Sequence, residues 1–163
     1  MDITDAIAFL RDPLPDDLSP ELEDELVAVL KTLHRTPTLE AVPLLLNAIR
    51  DWDNLLLAES MVSCVLQFPD EQVREYIKRA LSHDRREVRM WAADLVRSRP
   101  SEVYVSALAV QMDDKDVNAR YAAATALERI DHEDARKLAE IYLERELDHD
   151  VRTVLKAITG RHE

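Results

Sequence analysis

Glycine is almost missing from this chain: Gly160, close to the carboxyl end, is the only one in 163 residues. Tight β-hairpins need glycine wherever φ turns positive, so sheets joined by short turns are disfavoured and an all-α fold is expected. A glycine-rich phosphate loop is excluded on the same ground. Cysteine is equally scarce. Cys64 stands alone within "MVSCVLQF", so no internal disulfide can form, and its apolar surroundings mark it as a small buried hydrophobe rather than a nucleophile. Neither a CxxC pair nor a Ser-centred nucleophile elbow occurs. Runs of about 18 apolar residues are also lacking, and the opening "MDITDAIAFLRDP" has no basic stretch of the kind that begins a signal peptide. The expectation is a soluble, cytoplasmic protein without membrane contact.

What the chain does have is charge. The formal net charge is −12. Residues 1–33 hold nine acids and two bases, whereas residues 74–99 hold eight bases and four acids, a local excess of positive charge. An acidic total favours a cationic partner and disfavours non-specific nucleic-acid binding, which neutralises phosphates with a broad basic surface.

Apolar residues recur at three and four residue spacing, the period of a helix. This predicts helices over 3–10, 20–34, 38–50, 54–67, 70–82, 86–98, 101–112, 116–130, 133–146 and 149–159. Pro20 fits a first helical turn after Ser19, Pro69 and Pro100 follow helix ends, and Pro37 has a similar boundary role. Pro43 falls inside an apolar pattern, at a first turn or a kink. "RDPLPDDLSPELEDE" reads as a linker followed by an acid-rich helix start, where carboxylates complement the macrodipole.

An internal repeat is the strongest pattern. Leu57, Val88 and Ala119 fall in register, as do Met61 with Ala92 and Ala123, Val62 with Ala93 and Ala124, and Val65 with Val96 and Leu127. A further copy places Val151, Arg152, Leu155 and Lys156 in the same slots after one extra residue. Each copy predicts two helices, the second carrying V-R-x-x-A-A-x-x-L or a variant after an Asp-rich turn. Neither helix buries its apolar face alone, so stacking of pairs makes the core.

With these residues the chain resembles the HEAT-like repeat family, in the short form seen in bacterial proteins and lyase-associated subunits, over residues 38–160. The resemblance implies an all-α, right-handed α-α superhelix, a HEAT-like solenoid of about four to five helix pairs. It implies a single domain over 1–163, with an acidic amino-terminal cap and linker over 1–37 and four repeats of about 31 residues over 38–163. It further implies a structural ladder between repeats, formed by Asp84, Arg89, Asp114, Arg120 and Arg152. A guanidinium fork serves turn carbonyls and carboxylates together, which a lysine does less well. Ala58 replaces the arginine in the first copy, so the ladder is expected to stop there.

Candidate sites follow from the same register. If the second helix of each pair lines a concave face, its solvent columns are Glu59, Met90 and Tyr121, then Ser63, Asp94 and Thr125, a partner-binding groove. Met90 and Tyr121 are core residues instead if the helix phase differs. Trp52, in an exposed turn slot, is either packed under the amino-terminal cap or a binding hot spot, and Trp91 is a second candidate hot spot. The His-Asp pairs at 83–84 and 149–150, with "DHED" between, lie at repeat turns, where helix capping by Asp84, Asp131 and Asp148 explains them better than a metal. Glu59, Glu71 and Glu75 are solvated acids among many rather than acid-base catalysts. Trp91, Asp94 and Arg97 invite comparison with the HEAT-like alkylpurine DNA glycosylases, which are larger and strongly basic.

The expected function is non-catalytic: a protein-binding HEAT-like module, monomeric, without metal or cofactor, whose protein partner is basic. Its most concrete form is an immunity protein that neutralises a toxin. The alternatives are a lyase-type HEAT-like enzyme or subunit that binds a small-molecule cofactor, and a nucleic-acid-binding HEAT-like protein.

Overall fold

The computed structural model describes residues 1–160. They form ten α-helices and one short 3-10 turn, with no strand among the described residues. The fold is all-α. The chain divides into two compact units, Met1–Tyr76 and a second from Ile77 onward.

In the first unit, α1 (Ile3–Arg11) begins with a capping box: the Asp2 carboxylate accepts from the Asp5 N–H at 2.9 Å, and the Asp5 carboxylate accepts from the Asp2 N–H at 3.3 Å. Ala6, Ile7 and Leu10 make its buried face. Pro20 occupies the first turn of α2 (Pro20–Arg35), behind the Ser19 cap, where its missing N–H leaves nothing unsatisfied. The carboxyl of Glu21 in that turn is held below its usual range by its backbone N–H and by the Ser19 hydroxyl. Pro43 sits in the first turn of α3 (Ala41–Ala48), where its missing N–H costs no bond within the helix. Asn54 caps α4 (Leu55–Val65) by accepting from the Leu56 N–H at 3.2 Å. α2 packs on α4, α1 packs on α3, and α1–α2 and α3–α4 join these two layers. Arg11 at the end of α1 pairs with Glu40 at the start of α3 at 2.7 Å.

The second unit repeats the scheme with α6 (Arg86–Ser98), α7 (Val105–Met112), α8 (Val117–Glu128), α9 (Glu133–Leu143) and α10 (His149–Thr159). α8 packs between α6 and α10, while α7 packs on α9 beside them. Ala92, Ala93, Ala123 and Ala124 are all buried, and their small side chains let α6 and α8 approach closely. α5 (Asp70–Leu81) runs across the division between the units, with Val73, Ile77, Ala80 and Leu81 buried. The one glycine is used where its freedom matters: Gly160, at φ 70, ends α10 in the left-handed conformation.

The predicted spans are correct in number and order but too long at several ends. α4 stops at Val65, α8 at Glu128 and α9 at Leu143. The span predicted from 101 begins as a 3-10 turn over Glu102–Tyr104, and Thr38–Glu40 form the turn that leads into α3. The trimmed residues are needed in the connections, above all Glu146, which turns inward beyond α9 and is only 6% exposed.

Candidate partner-binding site

The turns of the second unit are held by a relay of guanidiniums. Arg89 at the start of α6 donates to the carbonyls of His83 and Asp84, each at 2.8 Å, and reaches the Asp114 carboxylate of the next turn at 2.6 Å. Arg120 at the start of α8 donates to the carbonyls of Asp114 and Lys115 at 2.9 and 3.3 Å. Its fork closes on the Glu146 carboxylate, Nε to Oε2 at 2.8 Å and Nη2 to Oε1 at 3.0 Å. Arg152 at the start of α10 donates to the carbonyls of Leu143 and Glu146 at 2.8 and 2.7 Å. Each arginine therefore collects carbonyls that the preceding helix and turn leave without partners, and two of them also meet a carboxylate one repeat further on.

Of the expected ladder, Asp114 supplies a carboxylate, whereas Asp84 enters through its carbonyl. The second acidic partner is Glu146, which pattern reading missed. Its carboxyl is held below its usual range by the hydrogen bonds from Arg120, against the opposing effect of burial, and with further help from the N–H groups of Leu147 and Asp148. The same contacts raise the pKa of Arg120. Gln111 was missed as well. It is 1% exposed, and its Nε2 bonds the carbonyls of Arg89 and Ala119 at 3.3 and 3.1 Å, pinning α7 to α6 and α8 together.

Helix capping differs from expectation at two of three positions. Asp148 caps α10, accepting from the N–H groups of Asp150 and Val151. At α9 the cap is His132, whose Nδ1 accepts from the Asp134 N–H at 3.2 Å, and Asp131 instead pairs with Arg136 at 2.9 Å. At α6 the boundary residue is Arg85, with no side-chain cap; His83 Nδ1 accepts its N–H at 3.0 Å. An imidazole nitrogen here does the work assigned to the neighbouring aspartate. Asp116 caps α8, and its carboxyl is lowered by the Ala119 and Asn118 N–H groups and by Arg86, which together outweigh burial.

In the first unit Ala58, in the arginine slot, is buried. A different guanidinium, that of Arg50 outside the register, gathers carbonyls at the end of α3. Its Nη1 lies within 3.2 Å of the carbonyls of Asn47, Ala48 and Ile49, and its Nη2 bonds the Leu14 carbonyl at 3.1 Å. Trp52 is not available as a hot spot. It is buried beside the amino-terminal segment, with its indole N–H donated to the Pro15 carbonyl at 3.2 Å. Cys64 is buried too, and burial pushes its thiol up to about 11.

The predicted groove residues fall in both units. Glu59 and Ser63 are exposed on α4 of the first. Met90, Trp91 and Asp94 on α6 and Thr125 on α8 are half-buried in the second, while Tyr121 on α8 is 44% exposed. Tyr121 and Thr125 border a cavity of about 510 Å³ with Arg97, Ser98, Glu128 and Arg129. Asp94 holds Arg97 at 2.5 Å, and Thr125 donates to the Ala122 carbonyl at 2.9 Å. Much of the arginine-rich stretch 74–99 is likewise paired: Arg74 with Asp70, Arg86 with Asp116, Arg89 with Asp114. What the second unit leaves open is an aromatic ring over a cavity lined by both signs of charge.

Among the described residues no helix is long and apolar enough to cross a membrane, and no three His, Cys, Asp or Glu side chains converge as metal ligands. No protein-family model matches the chain, and no curated protein matches it in sequence.

Proposed function

We propose that the chain is a non-catalytic protein-binding module of HEAT-like repeats whose partner is a basic protein. The observation that carries this reading is Tyr121, a large ring left 44% exposed over a cavity bordered by α6 and α8. A rigid aromatic with two rotatable bonds beside a concavity is the kind of anchor that interfaces bury. Met90 and Trp91, half-buried on the packed neighbour α6, are the further apolar side chains this reading assigns to the contact.

Charge supports the choice of partner at longer range. The cavity rim is mixed, with Arg97 and Arg129 beside Glu128, so local contacts select shape more than sign. The net charge of −12 instead attracts a cationic protein and speeds its approach. Four paired arginines between 74 and 97 speak for a structural use of that stretch and against a phosphate-binding face. Neutralisation of a basic toxin is the most concrete form of this function.

A photo-crosslinking amino acid at Tyr121, compared with the same group at exposed Lys137 on α9, tests the reading in cells that natively make the protein. The expected result is one basic protein crosslinked from 121 alone, with a yield that falls as salt is raised. Equal crosslinking from both positions, or a salt-independent acidic partner, refutes it.

A further inference from the structure

The first unit carries an opening lined, among the expected groove residues, by Ser63 alone. A cleft of about 650 Å³ runs between α2 and α4. Its floor is made by Leu30, Leu57 and Cys64, and its wall by Val27 and Leu56. Leu56 is 67% exposed at the mouth, a large hydrophobe left in water. Concave, mostly apolar sites of this size with a few polar groups at one end are typical small-molecule sites.

The polar lining is of two kinds: Asn54, Ser60 and Ser63 on the α4 side are neutral, whereas the cationic groups stand together on α2. Lys31, His34 and Arg35 all come from the last turns of α2 and line the cleft. Lys31 is one of only two bases in residues 1–33, and no carboxylate pairs with it among the described residues. Arg35 donates its Nε to the Lys31 carbonyl at 3.3 Å, and no carboxylate pairs with its guanidinium among the described residues. His34 Nδ1 lies 3.2 Å from the Gln67 amide nitrogen; a donated amide proton makes Nδ1 the acceptor and Nε2–H the remaining donor of the ring. The cleft's acidic neighbour, Glu23, is nearer the other end of α2 and is engaged by the Asn54 amide at 2.5 Å. The two fixed cations also outweigh the partial negative charge of the α2 carboxyl terminus.

We propose that this cleft binds an amphiphilic carboxylate, a fatty-acid-like molecule whose chain lies along Val27, Leu30, Leu56 and Leu57 and whose head meets Lys31, His34 and Arg35. The two requirements, a chain and an anionic head, are separable by experiment. Each buried methylene tightens binding by about fourfold. The carboxylate adds a charge-assisted contact that an alcohol of the same length lacks.

Calorimetric titration of the full chain with octanoate, decanoate and dodecanoate, all below their micellar concentrations, tests the first requirement. Binding at one molecule per chain is expected, with Kd falling about fifteen-fold per two-carbon step. Decanol tests the second, and binds about tenfold more weakly than decanoate. Lys31→Glu weakens decanoate by about tenfold and leaves decanol unchanged, whereas Leu56→Asp weakens both; each of these side chains is exposed, so the fold tolerates the change. The lone Cys64 on the floor gives a second readout, since decanoate slows its reaction with a thiol reagent in the wild type and not in Leu56→Asp. Absence of saturable dodecanoate binding, as expected if the cleft receives a partner helix instead, overturns the proposal. Equal affinity for decanol and decanoate, or binding that Leu56→Asp leaves intact, overturns it too.

Discussion

Arg120→Ala removes the busiest rung of the ladder, and its cost can be worked from the contacts. The Arg120 side chain is 20% exposed and the Glu146 carboxylate 5%, so the pair is largely shielded from water. Removal deletes two charge-assisted bonds to Glu146 and the bonds to the Asp114 and Lys115 carbonyls. A lost partner for a buried charge costs about 3–5 kcal/mol. Glu146 keeps its bonds from the Leu147 and Asp148 N–H groups, and the space left by arginine admits water, so about 2–4 kcal/mol is expected here. With m of about 2 kcal/mol/M in urea, the midpoint falls by about 1–2 M. The assay follows Trp91, which lies in the second unit, after Trp52→Phe has removed the reporter in the first. A double-mutant cycle with Glu146→Gln isolates the pair. Coupling of at least about 1 kcal/mol is expected, and Arg120→Lys recovers less than half of the loss because an ammonium cannot span both carboxylate oxygens. Coupling indistinguishable from zero, with an unshifted midpoint for Arg120→Ala, refutes the reasoning and makes Arg120 a solvent-facing residue.

Three further outcomes follow from the same geometry. Because the folded-state pKa of Glu146 lies below its unfolded value, the unfolded chain takes up that proton first as pH falls. The stabilisation is complete above pH ~4.3, the ordinary glutamate value, and is lost as pH drops through the lower folded value; Glu146→Gln flattens this limb of the acid denaturation curve read at Trp91. Gln111→Ala, which deletes one buried and one part-buried hydrogen bond and opens a void between α6, α7 and α8 but also removes an unpartnered Oε1, lowers stability by about 1–3 kcal/mol in urea unfolding. With its thiol at about 11, Cys64 is roughly one part in a thousand thiolate at pH 8, so a thiol reagent reacts slowly with the native chain and rapidly once urea unfolds it.

The helices were legible because apolar residues recur at three and four residue spacing along each, and because Asp2, Ser19, Asn54, Asp116 and Asp148 mark the starts of five of them. The arginines of the ladder were legible because they repeat. Their acidic partners were harder to see, since the repeat itself lengthens by one residue before the last copy. Allowing for that insertion, Glu146 stands to Arg152 as Asp114 stands to Arg120, six positions upstream in each case. Arg50 could not be found this way, because it sits outside the register and works on carbonyls that no sequence pattern marks. Gln111 was visible in principle: it shares the helical face of Val105 and Leu108, where a polar residue at an apolar position signals a buried hydrogen-bonded side chain. The surfaces resisted more strongly. Tyr121 could be placed in a polar column from the register, but the cleft under Leu56 depends on how far α2 and α4 stand apart, which side-chain spacing along either helix does not encode.

The gaps in the ladder follow one logic with its rungs. A buried carboxylate is retained only where a guanidinium answers it, because either charge left alone costs more than the pair returns. Asp114 and Glu146 are each answered, by Arg89 and Arg120. At the first copy the arginine slot holds Ala58, and the register position that would supply its acid holds His83 rather than Asp or Glu. Both members are changed together, as the cost of an orphaned charge requires. The chain divides into its two compact units between those two positions. Restoring only one charge, with Ala58→Arg, is therefore expected to destabilise the first unit, since position 58 is 2% exposed and holds no carboxylate partner in its register; a rise in the unfolding midpoint read at Trp52 would contradict this account of why the rung is absent.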